Sequence, residues 1–380
     1  MPLQLLRQKE IFYGSEKRYV SLYKGDLSEL SSSDGVDYLC VSAQPNKYDR
    51  YDSSLIAALA KKGIYIDEMF NKMLADFRSS TKCWITQDVS NANFKRILVF
   101  EPNDISRAEE YITYIFSTIK YVEEENMSPI CVALPLVCTG YGGADKNDIF
   151  EEIFYQAAHW CAMKFPFKEI KIVLYNSTEQ DIAKFDSMVN EYDGIKTLKL
   201  DKYYPFYANQ ASKLAEANVT NDTLTDRQKY AIHLYTTNYY SVLNSVLRDL
   251  KGSHKGAEYK KYRPIIEALN SGLMNLPYYT NKTYRGVNLT KEQQNEYSVG
   301  KTDVNWAYTS SSYKKSAAFT RNTFITFQSY LGVCIESYSQ YPSEREVLFA
   351  EHMDFITQNT APLENKIHFY CAEIAPLFRR

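Results

Sequence analysis

The sequence contains no CxxC pair, and its cysteines and histidines form no cluster with zinc-ligand spacing. Its seven cysteines (Cys40, Cys83, Cys131, Cys138, Cys161, Cys334 and Cys371) are dispersed and odd in number, which in a chain this long reads as reduced thiols rather than a disulfide frame. The five histidines (His159, His233, His254, His352 and His368) are equally scattered, so no metal site is expected. A basic excess is also missing: 44 Lys and Arg stand against 46 Asp and Glu, which argues against a phosphate backbone as the main partner. No run approaches eighteen apolar residues, so no membrane span is expected. The opening Met1–Glu10 segment lacks the apolar core of a secretory signal. The resulting expectation is a soluble cytoplasmic chain, with secretion as an effector by a signal-less route as the alternative.

What is present is the material for a core. Apolar residues make up 45% of the 380 and charged residues 24%, values of a globular protein, and the length favours two domains. Tyrosine is abundant (33 copies), in keeping with β-surface preference. In the first half, Arg18–Lys24, Asp37–Ser42, Lys95–Phe100, Ile130–Leu136 and Glu169–Tyr175 have the short branched runs of buried strands. Helical patterns over Ser54–Lys62, Ser106–Glu125 and Asp148–Lys164 lie between them. Alternating strands and helices predict a three-layer α/β domain with a mainly parallel sheet. The pattern stops near residue 200, and Asp201–Asp222 has no sustained period. From Thr225 or Asp226, either of which could act as cap, a helix runs to about Leu250, with Ile232, Tyr235, Tyr239, Leu243 and Leu247 on one stripe. A second covers roughly Tyr262–Met274, and short strands follow Pro277. Helices first and strands afterwards predict an α+β domain. The expected division is 1–200, a linker at 201–222, and 223–380.

Three segments of the second domain carry chemistry in combination. They are Thr283-Tyr284-Arg285-Gly286-Val287, Ala307-Tyr308-Thr309-Ser310-Ser311-Ser312, and Tyr341-Pro342-Ser343-Glu344-Arg345-Glu346-Val347-Leu348-Phe349. Each alone has an ordinary explanation: a surface arginine, a serine turn, and a solvated strand face, since residues i and i+2 of a strand share a side. In this order they resemble the R-S-E class of ADP-ribosyltransferases, whose fold is a helical lobe with a split β-sandwich. The Leu224-Thr225 helix opening, Tyr235-Thr236, Asn244, Leu276-Pro277 and Ala317–Phe319 fit the same pattern, so the resemblance covers most of 224–375.

The resemblance implies NAD-dependent mono-ADP-ribosylation of arginine on a protein acceptor, without a metal. Glu346 would stabilise the positive ribose that forms as nicotinamide leaves, because a fixed carboxylate beside a developing charge lowers the barrier. Glu344 would hold and activate the acceptor guanidinium, which two parallel hydrogen bonds suit and whose pKa lies above about 12. As part of a strand, Glu344 would project on the same side as Glu346. Arg285 would pair with the NAD diphosphate or adjacent ribose, and the Arg285-Gly286 backbone would meet the nicotinamide carboxamide. Ser310 would orient Glu346, with Tyr308, Ser312 and Phe319 completing the NAD site. Ser311 stands where the family usually has threonine. The loop Ser337–Ser343, with Tyr341 as its aromatic, would be either the acceptor contact or a plain hairpin turn.

In the first domain, Pro135–Ala144 (PLVCTGYGGA) follows a buried strand and precedes a helix, a setting in which backbone amides and a helix dipole can receive phosphate. Tight packing explains such a loop equally well. With Gly25-Asp26-Leu27 and Val41–Asn46 after earlier strands, residues 15–195 resemble a macrodomain. That resemblance implies binding of ADP-ribose or a related nucleotide, with Asp26 at the adenine and Gly140, Tyr141, Gly142 and Gly143 around the diphosphate. Asn46 would stand in for the family's asparagine. The loop Lys47–Ser53 lacks the glycine pair of hydrolytic members, which speaks against hydrolysis. Two other functions remain open: an NAD glycohydrolase with water as acceptor, and an ADP-ribose sensor whose transferase fold is silent.

Overall fold

The computed structural model describes residues 3–50, 53–123, 128–140, 142–197, 223–251, 256–363 and 366–374. Its chain forms two compact units, Met1–Asp193 and Gly194–Arg380. The segment 201–222 and Tyr141 lie outside the described residues.

The first unit is built on an eight-stranded sheet: β1 (Gln4–Tyr13), β2 (Glu16–Lys24), β3 (Val36–Ser42), β4 (Met73–Asp76), β5 (Cys83–Thr86), β6 (Phe94–Phe100), β7 (Ile130–Leu134) and β8 (Phe167–Leu174), in the order β1-β2-β8-β7-β3-β6-β5-β4. Its centre, β2-β8-β7-β3-β6, is parallel. Both margins are antiparallel. Alternation sorts the side chains: Leu39, Val41, Ile97 and Val99 join one core, in which Ile56 of α1 (Leu55–Ala60) and Ile66 of α2 (Ile66–Phe70) are also buried. On the other side α3 (Ile112–Val122) packs on β5 and β6, and α4 (Lys146–Cys161) on β1, β2 and β8, with α5 (Glu179–Asp193) against β1.

The strands expected at the parallel centre are present with shifts of one or two residues. β1, β4, β5 and α5 are additions. The first three lie toward the margins of the sheet: β1 and β4 are largely exposed and lack a continuous apolar run, and β5, though buried throughout, is only four residues long. The expected helix Ser106–Glu125 begins instead as a 3-10 stretch, Ile105–Tyr111, capped by Asp104.

In the second unit, helix α6 (Asp226–Leu234) opens on a capping box between Thr225 and Gln228. It passes through a π-like turn, Tyr235–Tyr239, kinked at Thr237, whose backbone is non-helical (φ −83°, ψ −174°), into α7 (Tyr240–Leu250). Then comes α8 (Ala257–Met274), starting five residues earlier than the sequence pattern suggests. The strands are β9 (Tyr278–Tyr279), β10 (Lys282–Val287), β11 (Thr302–Asn305), β12 (Thr309–Ser312), β13 (Thr323–Gln328), β14 (Gly332–Cys334), β15 (Glu346–Phe349), β16 (Met353–Leu363) and β17 (Lys366–Glu373). They form one sheet in the order β11-β16-β17-β13-β10-β12-β15-β14-β9.

The link between β10 and β12 is a single pair, Tyr284 opposite Ser312. That narrow junction divides the sheet. On one side Ile325, Phe327, Phe355 and Phe369 make a small core of their own. On the other, Val333 and Leu348 join the helical core with Tyr235, Leu243, Ile265 and Leu269. The candidate residues gather at this junction.

Candidate active site

Strand pairing explains how three distant segments meet. β12 runs antiparallel to β15, with Ser310 opposite Leu348, Ser311 opposite Val347 and Ser312 opposite Glu346. Alternation therefore puts Ser310, Ser312 and Glu346 on one side, and the Ser310 side chain hydrogen-bonds Glu346. Ser311 points the other way and donates to Val347 O at 3.1 Å. Arg285, from β10, donates to the backbone oxygen of Ser310, which brings its guanidinium into electrostatic reach of Glu346. Arg285, Ser310 and Glu346 are thus brought together.

Glu346 is only 5% exposed. Burial pushes its carboxyl from 4.5 up to about 7; the Ser310 hydrogen bond and Arg285 act downward, and the neighbouring Glu344 upward. Glu344 is half-buried, and burial raises its carboxyl too. The route by which Glu344 reaches the site differs from a continuous strand. Pro342–Glu344 is a 3-10 turn, and Arg345 is left-handed at φ 54°. The strand starts at Glu346, so strand alternation does not place Glu344; the turn does. Arg345 is tied down by its ion pair to Glu336, and its carbonyl accepts from Tyr313 N at 3.1 Å and Ser312 Oγ at 3.4 Å. Tyr313 Oη also donates to Glu336 at 2.6 Å. A left-handed non-glycine residue costs free energy and persists where surrounding bonds fix it, as here.

Tyr308 and Ser312 are packed behind the site. Tyr308 is 3% exposed and sits in the helical core, its hydroxyl donating to Asn270 Oδ1 at 2.7 Å and lying 3.3 Å from Ile266 O. A ring so enclosed holds β12 from behind. Ser312 is buried as well, its hydroxyl spent on the Arg345 carbonyl and the Lys314 amide. Phe319, by contrast, is 52% exposed. Gly286 faces its backbone: a Cβ on Gly286 would stand 1.6 Å from Phe319 O, so only glycine fits. Tyr341 is exposed at the tip of the segment before Glu344. That segment is not a simple hairpin turn; it folds as two 3-10 turns, Glu336–Tyr338 and Pro342–Glu344.

Two residues that the sequence offered only as supporting pattern lie close to Glu346 or to its neighbour. Tyr235 is buried beside Glu346 and Arg285, and Asn244 Nδ2 donates to its hydroxyl at 3.2 Å. Asn244 Oδ1 is buried without a hydrogen-bond partner. Nine positions along a regular α-helix amount to about 900°, which leaves two residues on opposite sides. The kink at Thr237, inside the intervening turn, breaks that phase and lets the two side chains meet. Helical periodicity alone gives no sign of it.

In the first unit, Asp26, Asn46 and the glycine loop all lie beyond the carboxyl ends of parallel strands, where ligands of open α/β sheets bind. Asp26 caps a 3-10 turn through Ser28 N at 2.8 Å. Gly142 is pressed against Cys138 O, which a Cβ would approach to 2.4 Å, and Gly143 has φ +69°. Cys138 is left-handed and donates its amide to Ser42 Oγ at 3.1 Å. The amino end of α4 departs from expectation: the Asp145 carboxylate already takes the amides of Asn147 and Asp148. Asn46 is exposed and holds Arg78 through its Oδ1 at 2.7 Å. Its amide donates to Glu101, a buried carboxylate that also accepts from Trp84 Nε1 at 2.6 Å and from Tyr48 Oη. Tyr175, expected at the end of a buried strand, lies just after β8 and is 69% exposed. Gly25 N bonds Leu174 O, so Tyr175 stands beside the Asp26 turn.

Comparison with known proteins bears on the second unit. Residues 193–375 match the family model of NAD:arginine ADP-ribosyltransferases. The C-terminal unit is an ADP-ribosyltransferase domain. The chain is 33% identical over 123 residues to Mav of Mycobacterium avium (strain 104), named as an NAD(+)–arginine ADP-ribosyltransferase, covering 31% of this chain and 14% of that protein. It is 31% identical over 156 residues to the NAD(+)–protein-arginine ADP-ribosyltransferase Tre1 of Serratia proteamaculans (strain 568), covering 40% and 33%. The chain thus spans a third or less of the length of these two relatives. Among solved structures, the type III effector XopAI from Xanthomonas axonopodis pv. citri is 20% identical with a TM-score of 0.41, over 53% of this chain and 90% of that one. Among the described residues there is no group of three or more His, Cys, Asp or Glu that could hold a metal, and no helix long and apolar enough to cross a membrane.

Proposed function

We propose that residues 223–380 transfer ADP-ribose from NAD to arginine on a protein. The observation that carries this is the buried Glu346, bonded to Ser310 and facing Arg285, with Glu344 beside it. In this reading Glu346 stabilises the positive ribose as the bond to nicotinamide breaks, and Ser310 fixes its orientation. Both effects grow with exclusion of water. Arg285 meets the diphosphate, the Arg285-Gly286 backbone the carboxamide, and Phe319 the nicotinamide ring. Tyr308 and Ser312 hold the strands behind them. Tyr235 and Asn244 extend the polar wall. Glu344 binds the acceptor guanidinium and draws off a proton, a task its raised pKa suits. Tyr341 is the exposed aromatic on the acceptor side. The names of Mav and Tre1 support arginine as the acceptor.

For residues 1–200 we propose binding of ADP-ribose or a related nucleotide at the carboxyl edge of the parallel strands. Asp26 would meet the adenine, with Tyr175 stacking on it, and the loop through Gly140, Tyr141, Gly142 and Gly143 would receive the diphosphate. Asn46 is engaged by Arg78 and Glu101, which favours binding over hydrolysis.

The test uses the full chain with NAD labelled on its adenylate and L-arginine methyl ester as acceptor, beside Glu346→Gln. Label on the ester or on protein, lost in the variant, supports transfer. Nicotinamide release without label favours a glycohydrolase, and no turnover in either favours a silent fold that reads ADP-ribose.

A further inference from the structure

The segment that leads to Glu344 is fastened at two points, to the end of α6 and to the turn that follows it. Tyr338 O lies 2.9 Å from His233 Nδ1. Gln340 N donates to Thr236 Oγ1 at 2.8 Å. Ser339 Oγ then accepts from Tyr341 N at 3.0 Å, and Tyr341 O accepts from Glu344 N at 3.0 Å. His233 and Thr236 are 5% and 8% exposed, and Tyr338 is 3% exposed, so these bonds are shielded from competing water. Thr236 Oγ1 also donates to His233 O at 2.8 Å, which locks the hydroxyl so that its lone pairs face Gln340. Thr236 belongs to the π-like turn, the same irregular turn that carries Tyr235 beside Glu346.

We propose that Thr236 is a positioning residue for acceptor transfer: by bonding Gln340 N it fixes the Ser339–Glu344 segment, and so decides whether the ribose carbon is attacked by arginine or by water. The proposal rests on the transferase reading above. Glu346 does not depend on this bond, because it is set by β12 through Ser310 and by the Ile335 N bond to its carbonyl at 3.1 Å. Glu344 does depend on it, because it ends the segment that Thr236 anchors. A small displacement of a positioned group costs up to about 100-fold in rate, and here the cost falls on the acceptor step alone.

The experiment compares Thr236→Val, which keeps the shape and removes the hydroxyl, with Thr236→Ser, which keeps the hydroxyl, in the full chain. Two rates are read: nicotinamide release with water as the only acceptor, and label transfer to L-arginine methyl ester. Hydrogen exchange of the 336–345 backbone and the melting temperature are read alongside. For Thr236→Val the expected result is about a tenfold fall in kcat/KM for the ester. Nicotinamide release should stay within about twofold, and exchange across 336–345 should speed up, while Thr236→Ser behaves as wild type. Equal losses in both rates, or no loss in either, would overturn the positioning role while leaving the transferase intact. A wild-type chain that releases no nicotinamide at all would overturn the transferase reading, and the transfer role with it.

Discussion

At the scale of a single residue, Glu346 sets the terms. Its carboxyl is raised by burial to about 7, and stabilising a cationic ribose requires the ionised form. Nicotinamide release should therefore rise with pH through about 7 and level off above it; a flat profile between pH 5.5 and 8 would contradict the assignment. The same shift has a stability consequence of opposite sign. Between 4.5 and about 7 the folded chain binds the proton that the unfolded chain has lost, so stability falls as pH rises through that window, by an amount on the order of a few kcal/mol. Glu346→Gln removes the buried charge. It should cut nicotinamide release at least about 100-fold and yet melt higher than wild type at pH 8. Calorimetry at pH 5 and pH 8 checks this, since the gain should shrink at the lower pH. Tyr308 offers a control: Tyr308→Phe loses a hydroxyl that bonds Asn270, which should cost about 1 kcal/mol in denaturant unfolding and leave the NAD KM close to wild type.

At the scale of elements, the site depends on the junction between β10 and β12, where one residue pair joins the two halves of the sheet. Gly286, next to that pair, allows the Phe319 backbone to approach. Gly286→Ala should lose most NAD turnover, because the methyl collides with backbone rather than with a movable side chain, and the fall should appear in KM for NAD as well as in kcat. Much of this was legible beforehand. Arg285 near the end of a short strand, the serine run and the Glu-x-Glu segment pointed to the junction through their order. Other parts were not. The turn that presents Glu344 depends on Arg345 being left-handed, and that conformation is held by Glu336, Tyr313 and Ser312, which approach from two different elements. The meeting of Tyr235 with Asn244 depends on the kink at Thr237, for which periodicity carries no signature.

At the scale of the whole molecule, the chain is two units with separate cores and separate candidate ligands. If the first unit binds ADP-ribose where proposed, titration calorimetry on the full chain should give the same affinity for wild type and Glu346→Gln. Tyr175→Ala should weaken it by about tenfold, the worth of one aromatic stacked on a base. An unchanged affinity in Tyr175→Ala would remove the tyrosine from the site. A covalent enzyme acting on arginine also needs restraint where its own host's proteins are within reach. Adding ADP-ribose to the transferase assay asks whether the first unit supplies it, and a changed rate in wild type that is absent in Tyr175→Ala would say that it does.

The sequence by itself determined the classes of the two units, because continuous branched runs between helical repeats can be buried only as a covered parallel sheet, and helices followed by short strands only as an α+β unit. It also offered the candidate residues of both sites, since side-chain type limits what can hold a diphosphate or stabilise a cation. Tertiary structure decided the rest. It packed Tyr308 into the helical core, and it spent the amino end of α4 on Asp145. It raised the Glu346 carboxyl by enclosing it, and it bonded the segment before Glu344 to Thr236. Each of these depends on what lies across a gap between elements far apart in the chain, and local sequence carries no record of that distance.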